Sequence, residues 1–324
     1  MTLFNFTRRT VMAGATAAVA TAMAPAFAQD EEQIIAISFP NSSTIGAVTT
    51  SLNRSKEYGA EMGYKVVVDD PGSDMNKQIN TIKTWIQQGV PVIVAVVPQP
   101  DVFESIAKQA REAGIKWITY GETLENQDAT VGYAQYDDGF RLGEYAGEWI
   151  TENLGGEANV AVLGYEVASW GQLRGNGIKE GLASTAPNAT IVAEQDAINP
   201  SDGLSVTRTL LQANPDINVI LGIEDPATEG SYKAWVAAGK DPHDPNAFIG
   251  GMDGTPPALQ YLKEGDNVYR ASMAIPLLEV GEAIVDTADR LLAGEETGNV
   301  IVPLELVTAG DEAASKYLAQ QGFE

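Results

Sequence analysis

The stretch YKVVVDDPGSDMNKQINTIKTWIQQGVPVIVAVV, residues 64–97, decides the fold. It contains two runs rich in β-branched residues, Lys65 to Asp69 and Val92 to Val97, which are typical of buried strands. Between them, apolar side chains recur at the spacing of one helix face: Met75, Ile79, Ile82 and Ile86. Gly89 then stands where such a helix would end in a left-handed turn. A strand, a helix and a second strand in this order predict a parallel sheet covered by helices.

The same alternation extends in both directions from this stretch. Further strand-like runs are Ile34 to Phe39, Ile115 to Tyr120, Asn159 to Gly164, Thr190 to Gln195, Val219 to Ile223 and Ala247 to Met252. Apolar side chains at helical spacing predict helices between Ile45 and Met62 and between Phe103 and Ala110. Further helices are expected over 138–154, 171–184, 202–213, 227–238 and 256–263. Because a similar series of units precedes and follows about residue 136, the pattern predicts two doubly wound α/β lobes. A last helix, Leu277 to Leu292, and a strand, Val300 to Val307, are assigned to neither lobe by the pattern alone.

The first 28 residues have the composition of an export signal. Arg8-Arg9 precedes an apolar run, Val11 to Met23, that is too short and too rich in Ala and Gly to span a bilayer. The run leads to Ala26-Phe27-Ala28, which predicts cleavage after Ala28. The arginine pair favours the twin-arginine route, with a plain secretory signal as the alternative. No later stretch has the length of a membrane helix, so we expect the mature protein to be soluble. Together with the export signal, this predicts a location in the periplasm.

Composition excludes several classes of function. Cleavage would leave 18 basic residues against 44 acidic ones, a formal net charge of −26, which makes nucleic acid a poor partner. The chain has no cysteine, so disulfides, thiolate zinc sites and cysteine nucleophiles are excluded. His243 is the only histidine, which excludes clusters of metal-binding histidines. It is flanked by Asp241-Pro242 and Asp244-Pro245, which is typical of a loop, so we expect no triad with a histidine base. Gly175, Gly177 and Gly181 have the wrong spacing for a dinucleotide-binding loop, and we expect no cofactor.

The order of these elements and several local strings resemble the ribose-binding-like, type I periplasmic binding proteins of sugar ABC transporters. The strings that carry the resemblance are Gly63-Tyr64 before Val66-Val67-Val68, Gln172 to Gly175 with Gly181-Leu182, and Gly251 to Pro256. The resemblance covers nearly the whole mature chain. It implies two Rossmann-like lobes joined by three hinge strands, one lobe formed by 30–135 and 275–303 and the other by 136–274 and 304–324. A ligand would then bind in the cleft between the lobes.

The resemblance implies polar ligand contacts at two positions. Arg174 would donate hydrogen bonds to ligand oxygens, because a guanidinium presents its donors in a rigid fork. A surface arginine without a binding role is the alternative. Asp253 would accept hydrogen bonds from neighbouring hydroxyl groups, and the alternative is a turn or cap residue beside Gly254.

Other acidic positions depart from the ribose-binding pattern. Glu224 stands with Asp225 where ribose binders usually place Asn and Asp, and Glu122 stands where the family commonly has an Asp-Arg pair. Asp137, near the first expected hinge, is a further candidate for facing the ligand. This excess of carboxylates disfavours anionic ligands. We therefore expect a neutral sugar or polyol, with an amino sugar or another small cation as the alternative.

The apolar cover of the ligand also departs from the pattern. Ser43 is a further candidate for contacting the ligand, in a segment that lacks the pair of Phe residues with which relatives cover the sugar ring. Phe39, Tyr120 and Trp170 are the nearest replacements, and Trp170 is preferred as the apolar wall because it lies four residues before Arg174.

The sequence therefore predicts a monomeric substrate-binding protein that closes on its ligand by a hinge motion. The resemblance implies that a membrane permease recognises the closed form. A chemoreceptor or sensor kinase is a further partner that could bind the same surface. An exported glycoside hydrolase is the alternative from another class, because a pair of carboxylates suffices for that chemistry. It would require a deep site in which one carboxyl group has a raised pKa.

Overall fold

The computed structural model describes residues 33–323 as two six-stranded sheets with helices on both faces. The strands are β1 (Gln33–Ser38), β2 (Tyr64–Asp69), β3 (Val92–Val96), β4 (Lys116–Tyr120), β5 (Ala129–Gly132), β6 (Asn159–Gly164), β7 (Thr190–Asp196), β8 (Val219–Gly222), β9 (Phe248–Asp253), β10 (Tyr269–Ala274), β11 (Gly298–Ile301) and β12 (Glu305–Thr308). The helices are α1 (Gly46–Glu61), α2 (Met75–Gln88), α3 (Pro100–Glu112), α4 (Gln135–Leu154), α5 (Ser169–Thr185), α6 (Pro200–Ala213), α7 (Asp225–Ala237), α8 (Pro256–Glu264), α9 (Leu277–Leu292) and α10 (Glu312–Gln320). The α/β class predicted from the sequence is confirmed.

Both sheets are doubly wound. The first has the strand order β11-β5-β4-β3-β1-β2 and is parallel throughout. The second has the order β12-β10-β9-β8-β6-β7, in which β12 runs antiparallel to β10. The strand order reverses between β1 and β3 in one sheet and between β6 and β8 in the other. Such reversals leave a crevice beyond the C-terminal ends of the strands, where ligands bind in folds of this kind.

Both faces of each sheet are buried, which explains why the strands read as continuous apolar runs. In β1, Ile35 and Ile37 pack with residues of α1 and α9, whereas Ala36 packs on the other face with residues of α2 and α3. The second sheet is covered by α4 and α5 on one face and by α6, α7, α8 and α10 on the other. We call the first sheet with α1, α2, α3 and α9 the first lobe, and the second sheet with the remaining helices the second lobe.

The chain passes between the two sheets three times: after β5, after β10, and between β11 and β12. The last crossing corrects the single strand expected over Val300 to Val307, because β11 and β12 belong to different sheets. Pro303 lies between them and has no N–H to donate to a continuous ladder. Buried Asp138 holds this crossing, since its Oδ1 accepts a hydrogen bond from the backbone N–H of Leu304 at 3.3 Å.

Three elements were not predicted from the sequence: β5, β10 and α10. Strand β5 has only four residues, and β10 mixes polar with apolar residues, so neither forms an apolar run.

The export signal predicted for the first 28 residues lies outside the described part of the chain. Among the described helices, none combines the length and the apolar character needed to cross a membrane.

Helices α4 and α5 pack at backbone contact, and glycines make this possible. A Cβ atom on Gly143 would lie 2.1 Å from the carbonyl oxygen of Ile178, and one on Gly177 would lie 2.1 Å from that of Tyr136. On Gly139, a Cβ atom would lie 2.3 Å from the carbonyl oxygen of Arg174. The glycine run of α5 is therefore a helix-packing surface, and it fixes the position of Arg174.

Candidate ligand-binding cleft

A cavity of about 640 Å³ lies between the lobes, beyond the C-terminal ends of the strands. Its charged wall comes from the second lobe: Arg174 on α5, Glu224 after β8 and Asp253 at the end of β9. Phe39, after β1, and Tyr120, at the end of β4, line it from the first lobe. The position matches the crevice that the strand order creates, and the size is typical of small-molecule sites.

Arg174 is the best-anchored side chain of this wall, with an exposed fraction of 4%. Its Nε donates to Gln135 Oε1 at 2.6 Å, and its Nη1 donates to the carbonyl oxygen of Ile223 and to Asp253 Oδ1, both at 2.9 Å. Burial alone would lower the pKa of the guanidinium, but the charges of Asp253 and Glu224 raise it above its ordinary value. Within residues 33–323, Nη2 makes no hydrogen bond. Arg174 is therefore buried and not at the surface, and it is a permanent cation with one nitrogen left to donate.

Asp253 sits in a strained backbone conformation. Its φ of 103° lies in the left-handed region that side chains other than glycine rarely adopt, and Gly254 follows with a φ of 68°. Residues in and directly after β10 hold this conformation: Gly254 N–H donates to Ser272 Oγ at 3.2 Å, and Ile275 N–H donates to the carbonyl oxygen of Asp253 at 3.3 Å. This turn directs the Asp253 carboxylate to Arg174, and strained residues of this kind are concentrated at functional sites.

Glu224 and Asp225 have different environments although they are adjacent. The Glu224 carboxylate lines the cavity and has no hydrogen bond to any described residue; burial, assisted by the charge of Asp253, raises its pKa to about 8. Asp225 lies behind the wall and is fully buried. Its carboxylate accepts hydrogen bonds from Tyr269 Oη and Ser272 Oγ at 2.8 Å and from Thr255 N–H at 2.9 Å. Burial and Asp253 nevertheless raise the pKa of Asp225 to about 7.

Aromatic rings form the opposite wall. The ring centroids of Phe39 and Tyr120 are 5.2 Å apart, and Tyr133 packs edge-on against Tyr120 at 6.1 Å. The hydroxyl groups of Tyr120 and Tyr133 are hydrogen-bonded to each other. Burial raises the pKa of Tyr120 to about 12, so this wall is neutral at physiological pH. Rings of this kind pack against the C–H faces of a ligand.

Two of the predicted site residues lie beside the main cavity. Glu122 and Trp170 line a neighbouring cavity of about 280 Å³, together with Gln135. Trp170 contacts the site indirectly, since its ring centroid is 5.6 Å from the guanidinium carbon of Arg174. The sequence prediction that Trp170 forms the apolar wall is therefore corrected: Phe39 and Tyr120 form this wall of the main cavity.

Two other predicted residues lie away from the cavity. Ser43 is exposed, and its backbone N–H and its hydroxyl both donate to Asp70 Oδ2. These two hydrogen bonds lower the pKa of Asp70 to about 2, and the bond from the Ser43 hydroxyl has the larger effect. Asp137 is exposed on the first turn of α4, whereas its neighbour Asp138 is buried.

The sequence also failed to indicate several cavity residues. Tyr133 follows the unpredicted strand β5, and Gln135, which orients Arg174, begins α4. Apolar residues of α1 and α9 and Phe323 near the C-terminus also belong to the lining. Their sequence pattern is that of ordinary helix faces, so only the tertiary structure identifies them as cavity residues.

The fold and the cleft together define a two-lobed ligand-binding protein. The chain belongs to the family of the periplasmic binding protein domain, whose model matches residues 35–296. A ribose import binding protein from Bacillus subtilis is 29% identical over 277 residues, which cover 82% of this chain and 87% of that protein.

Solved structures have the same fold. An ABC transporter solute binding protein from Bacillus halodurans with bound myo-inositol has a TM-score of 0.74 at 23% identity, and the match covers 89% of this chain and 98% of that one. A periplasmic solute binding protein from Actinobacillus succinogenes with bound D-allose has a TM-score of 0.76 at 21% identity, covering 88% and 99%.

Membership of this family makes the chain a substrate-binding protein and not an enzyme. The glycoside hydrolase alternative is therefore wrong, although Glu224 has the raised carboxyl pKa that it required. Burial of Glu224 beside Asp253 accounts for that pKa without any catalytic role.

Proposed function

We propose that the protein captures a sugar or polyol in the cleft between its lobes and delivers it to an ABC importer. The observation that carries this proposal is the pairing of a buried guanidinium, Arg174, with the acceptors Asp253 and Glu224 opposite the aromatic pair Phe39 and Tyr120. Vicinal hydroxyl groups offer both donors and acceptors, and a sugar ring offers C–H faces for the aromatic wall. The likeness to a ribose import binding protein supports the same class of ligand.

The proposed mechanism is hinge closure. The charged residues belong to the second lobe and the aromatic pair to the first, so a ligand completes its contacts only when both lobes surround it. It therefore stabilises the closed state by its higher affinity for that state. We propose as lobe boundaries 30–135 with 275–303 and 136–274 with 304–324. The three crossings between the sheets lie close to these boundaries.

The proposed partners are a membrane permease with a separate ATP-hydrolysing subunit, and in addition a chemoreceptor or sensor kinase. The closed form of a monomer would be the form that they recognise. We propose export to the periplasm by the N-terminal signal, with the Arg8-Arg9 pair directing the twin-arginine route.

Thermal unfolding tests the proposal. We expect one sugar or polyol from a library of pentoses, hexoses, polyols and amino sugars to raise the melting temperature of protein freed of ligand by refolding. At about 100 times its Kd, a ligand that binds only the folded state adds roughly 2.7 kcal/mol, or on the order of 5 °C for a chain of this size. The control is chemical recovery of the ligand unchanged. If no compound of these classes raises the melting temperature, the proposal is wrong.

The pH dependence of binding at Glu224 distinguishes a neutral ligand from an amino sugar. The amino sugar remains an alternative because the Glu224 carboxylate has no hydrogen bond to a described residue and could pair with an ammonium group. Closure around a neutral ligand removes more water from Glu224 and so favours its protonated form. The affinity should then be constant below the pKa of about 8 and fall by up to about tenfold per pH unit above it. An ammonium group favours the carboxylate, so the affinity for a cation should rise as the pH rises toward 8.

Calorimetric titrations from about pH 6 to about pH 9 measure this dependence directly. The matched control is Glu224→Gln, which cannot ionise, and for which we expect the change in Kd above pH 8 to disappear. A dependence that remains near pH 7 in this variant is assigned to Asp225, whose pKa is about 7. A pH dependence that persists unchanged in Glu224→Gln would contradict the role given to Glu224.

A further inference from the structure

The cavity between the lobes has a charged end and an apolar end. The charged end is formed by Arg174, Glu224 and Asp253. The other end, which we call the apolar end, is lined mainly by apolar residues of α1, α9 and the C-terminal segment: Ala47, Val48, Leu52, Leu277, Val280 and Phe323. Leu52, Leu277 and Val280 are at most 3% exposed and form its floor. The polar residues Ser51 and Gln321 also line the cavity, where Ser51 Oγ donates to the carbonyl oxygen of Ala47 and Gln321 Nε2 donates to that of Gly254. One compound that fills this cavity must therefore present polar groups to one end and apolar surface to the other.

Helices α1 and α9 form the wall of the apolar end as one rigid pair within the first lobe. A Cβ atom on Gly281 of α9 would lie 2.4 Å from the carbonyl oxygen of Ser51, so the two backbones are in contact. Ser55 Oγ donates to the carbonyl oxygen of Gly281 at 2.9 Å, and Arg54 Nε donates to Glu282 Oε1 at 2.7 Å. Because both helices belong to the first lobe, hinge closure moves them together, whereas Phe323, which follows α10, belongs to the second lobe.

Small side chains at the start of α1 leave space in the apolar end. Gly46 and Ala47 both line the cavity, and a Cβ atom on Gly46 would meet no atom within 4 Å. Two larger apolar residues at the rim remain partly exposed, Ile45 with 46% and Phe323 with 45%. An apolar group bound here would cover both of them.

A free sugar carries hydroxyl groups around its whole ring, and those that face an apolar wall lose their water without gaining a partner. We propose that the ligand is a sugar or polyol with an apolar substituent, such as a glycoside with a hydrocarbon aglycone, whose substituent occupies the apolar end. This inference rests on the proposed function and specifies its substrate class. The hydroxyl groups are bound by Arg174 and Asp253, and the substituent packs against α1 and α9.

Matched ligands test this inference. Titration calorimetry compares ribose, xylose, glucose and galactose with their methyl and phenyl glycosides. For the sugar that binds, we expect the phenyl glycoside to bind about tenfold or more tightly than the methyl glycoside, the gain typical of added apolar groups in an apolar pocket. A phenyl glycoside that binds no better than the free sugar overturns the inference and leaves the proposed function intact. If none of these compounds binds and no sugar or polyol of the thermal-unfolding library binds either, the proposed function fails as well.

Two variants locate the substituent. Ile45→Asp places a charge at the rim of the apolar end, and because Ile45 is the N-cap of α1 and makes no side-chain cap bond, Asp is compatible with the helix there. Phe323→Ala removes part of the wall at an exposed position. We expect both to lower the ratio of phenyl to methyl glycoside affinity toward one.

The matched control is Val167→Asp, which introduces the same charge at a residue that is 74% exposed and outside the cavity lining. It should leave the ratio unchanged. A ratio that also stays unchanged in both Ile45→Asp and Phe323→Ala would place the substituent elsewhere and overturn the inference.

Discussion

Replacement of Arg174 by Ala is expected to weaken ligand binding strongly and to lower the free energy of unfolding by about 3–5 kcal/mol, as when one partner of a buried ion pair is removed. The guanidinium is 4% exposed and holds Gln135, the carbonyl oxygen of Ile223 and Asp253 in place. Without it, Asp253 keeps a largely buried charge with no cation to compensate. The expected ligand effect is at least about 100-fold, because charge-assisted hydrogen bonds to the ligand disappear as well.

Urea denaturation and titration calorimetry measure the two effects separately. Arg290→Ala is the control, because its partner Glu295 is exposed and such pairs contribute less than about 1 kcal/mol. Arg174→Met combined with Asp253→Asn removes both charges, and this double variant should recover part of the lost stability. If Arg174→Ala is as stable as the parent protein, the ion pair is not the anchor of the charged wall.

The second large effect concerns the contact between α4 and α5. We expect Gly177→Ala to destabilise the protein by about 3 kcal/mol, the upper range for a methyl group forced into a packed contact. The added Cβ would lie 2.1 Å from the carbonyl oxygen of Tyr136 and 2.7 Å from the backbone N of Phe140, so the two helices must move apart. That movement displaces Arg174 on α5, and we expect ligand affinity to fall together with stability.

Gly175→Ala is the matched control, since it makes the same change two residues away on the same helix. Its nearest neighbour would be Ile223 Cγ2 at 3.9 Å, an ordinary contact. Here the higher helix propensity of Ala should stabilise the protein by about 0.5–1 kcal/mol. Equal effects of the two substitutions in urea denaturation would show that backbone contact between α4 and α5 is not what these glycines provide.

The sequence by itself determined the fold class and the order of most elements. Apolar β-branched runs such as Val92 to Val97 alternate with helical stripes, and this local pattern depends only on periodicity and on the burial of both sheet faces. The same pattern placed Glu224 and Asp253 directly after strands. Because strands of one sheet end at a common edge, it brought these two residues into one cleft. Local periodicity could not reveal short or mixed strands such as β5 and β10.

Only the tertiary structure decided the composition of the cavity. Its apolar end joins Val48, Leu277 and Phe323, which are distant in sequence and individually look like ordinary core or terminal residues. The burial of Arg174 depends on the glycine contact between α4 and α5. The raised pKa of Glu224 depends on its burial in the cleft and on the nearby charge of Asp253. Burial, close contact and charge proximity are properties of the assembled lobes. The side chains that line the cavity could therefore be identified only from the tertiary structure.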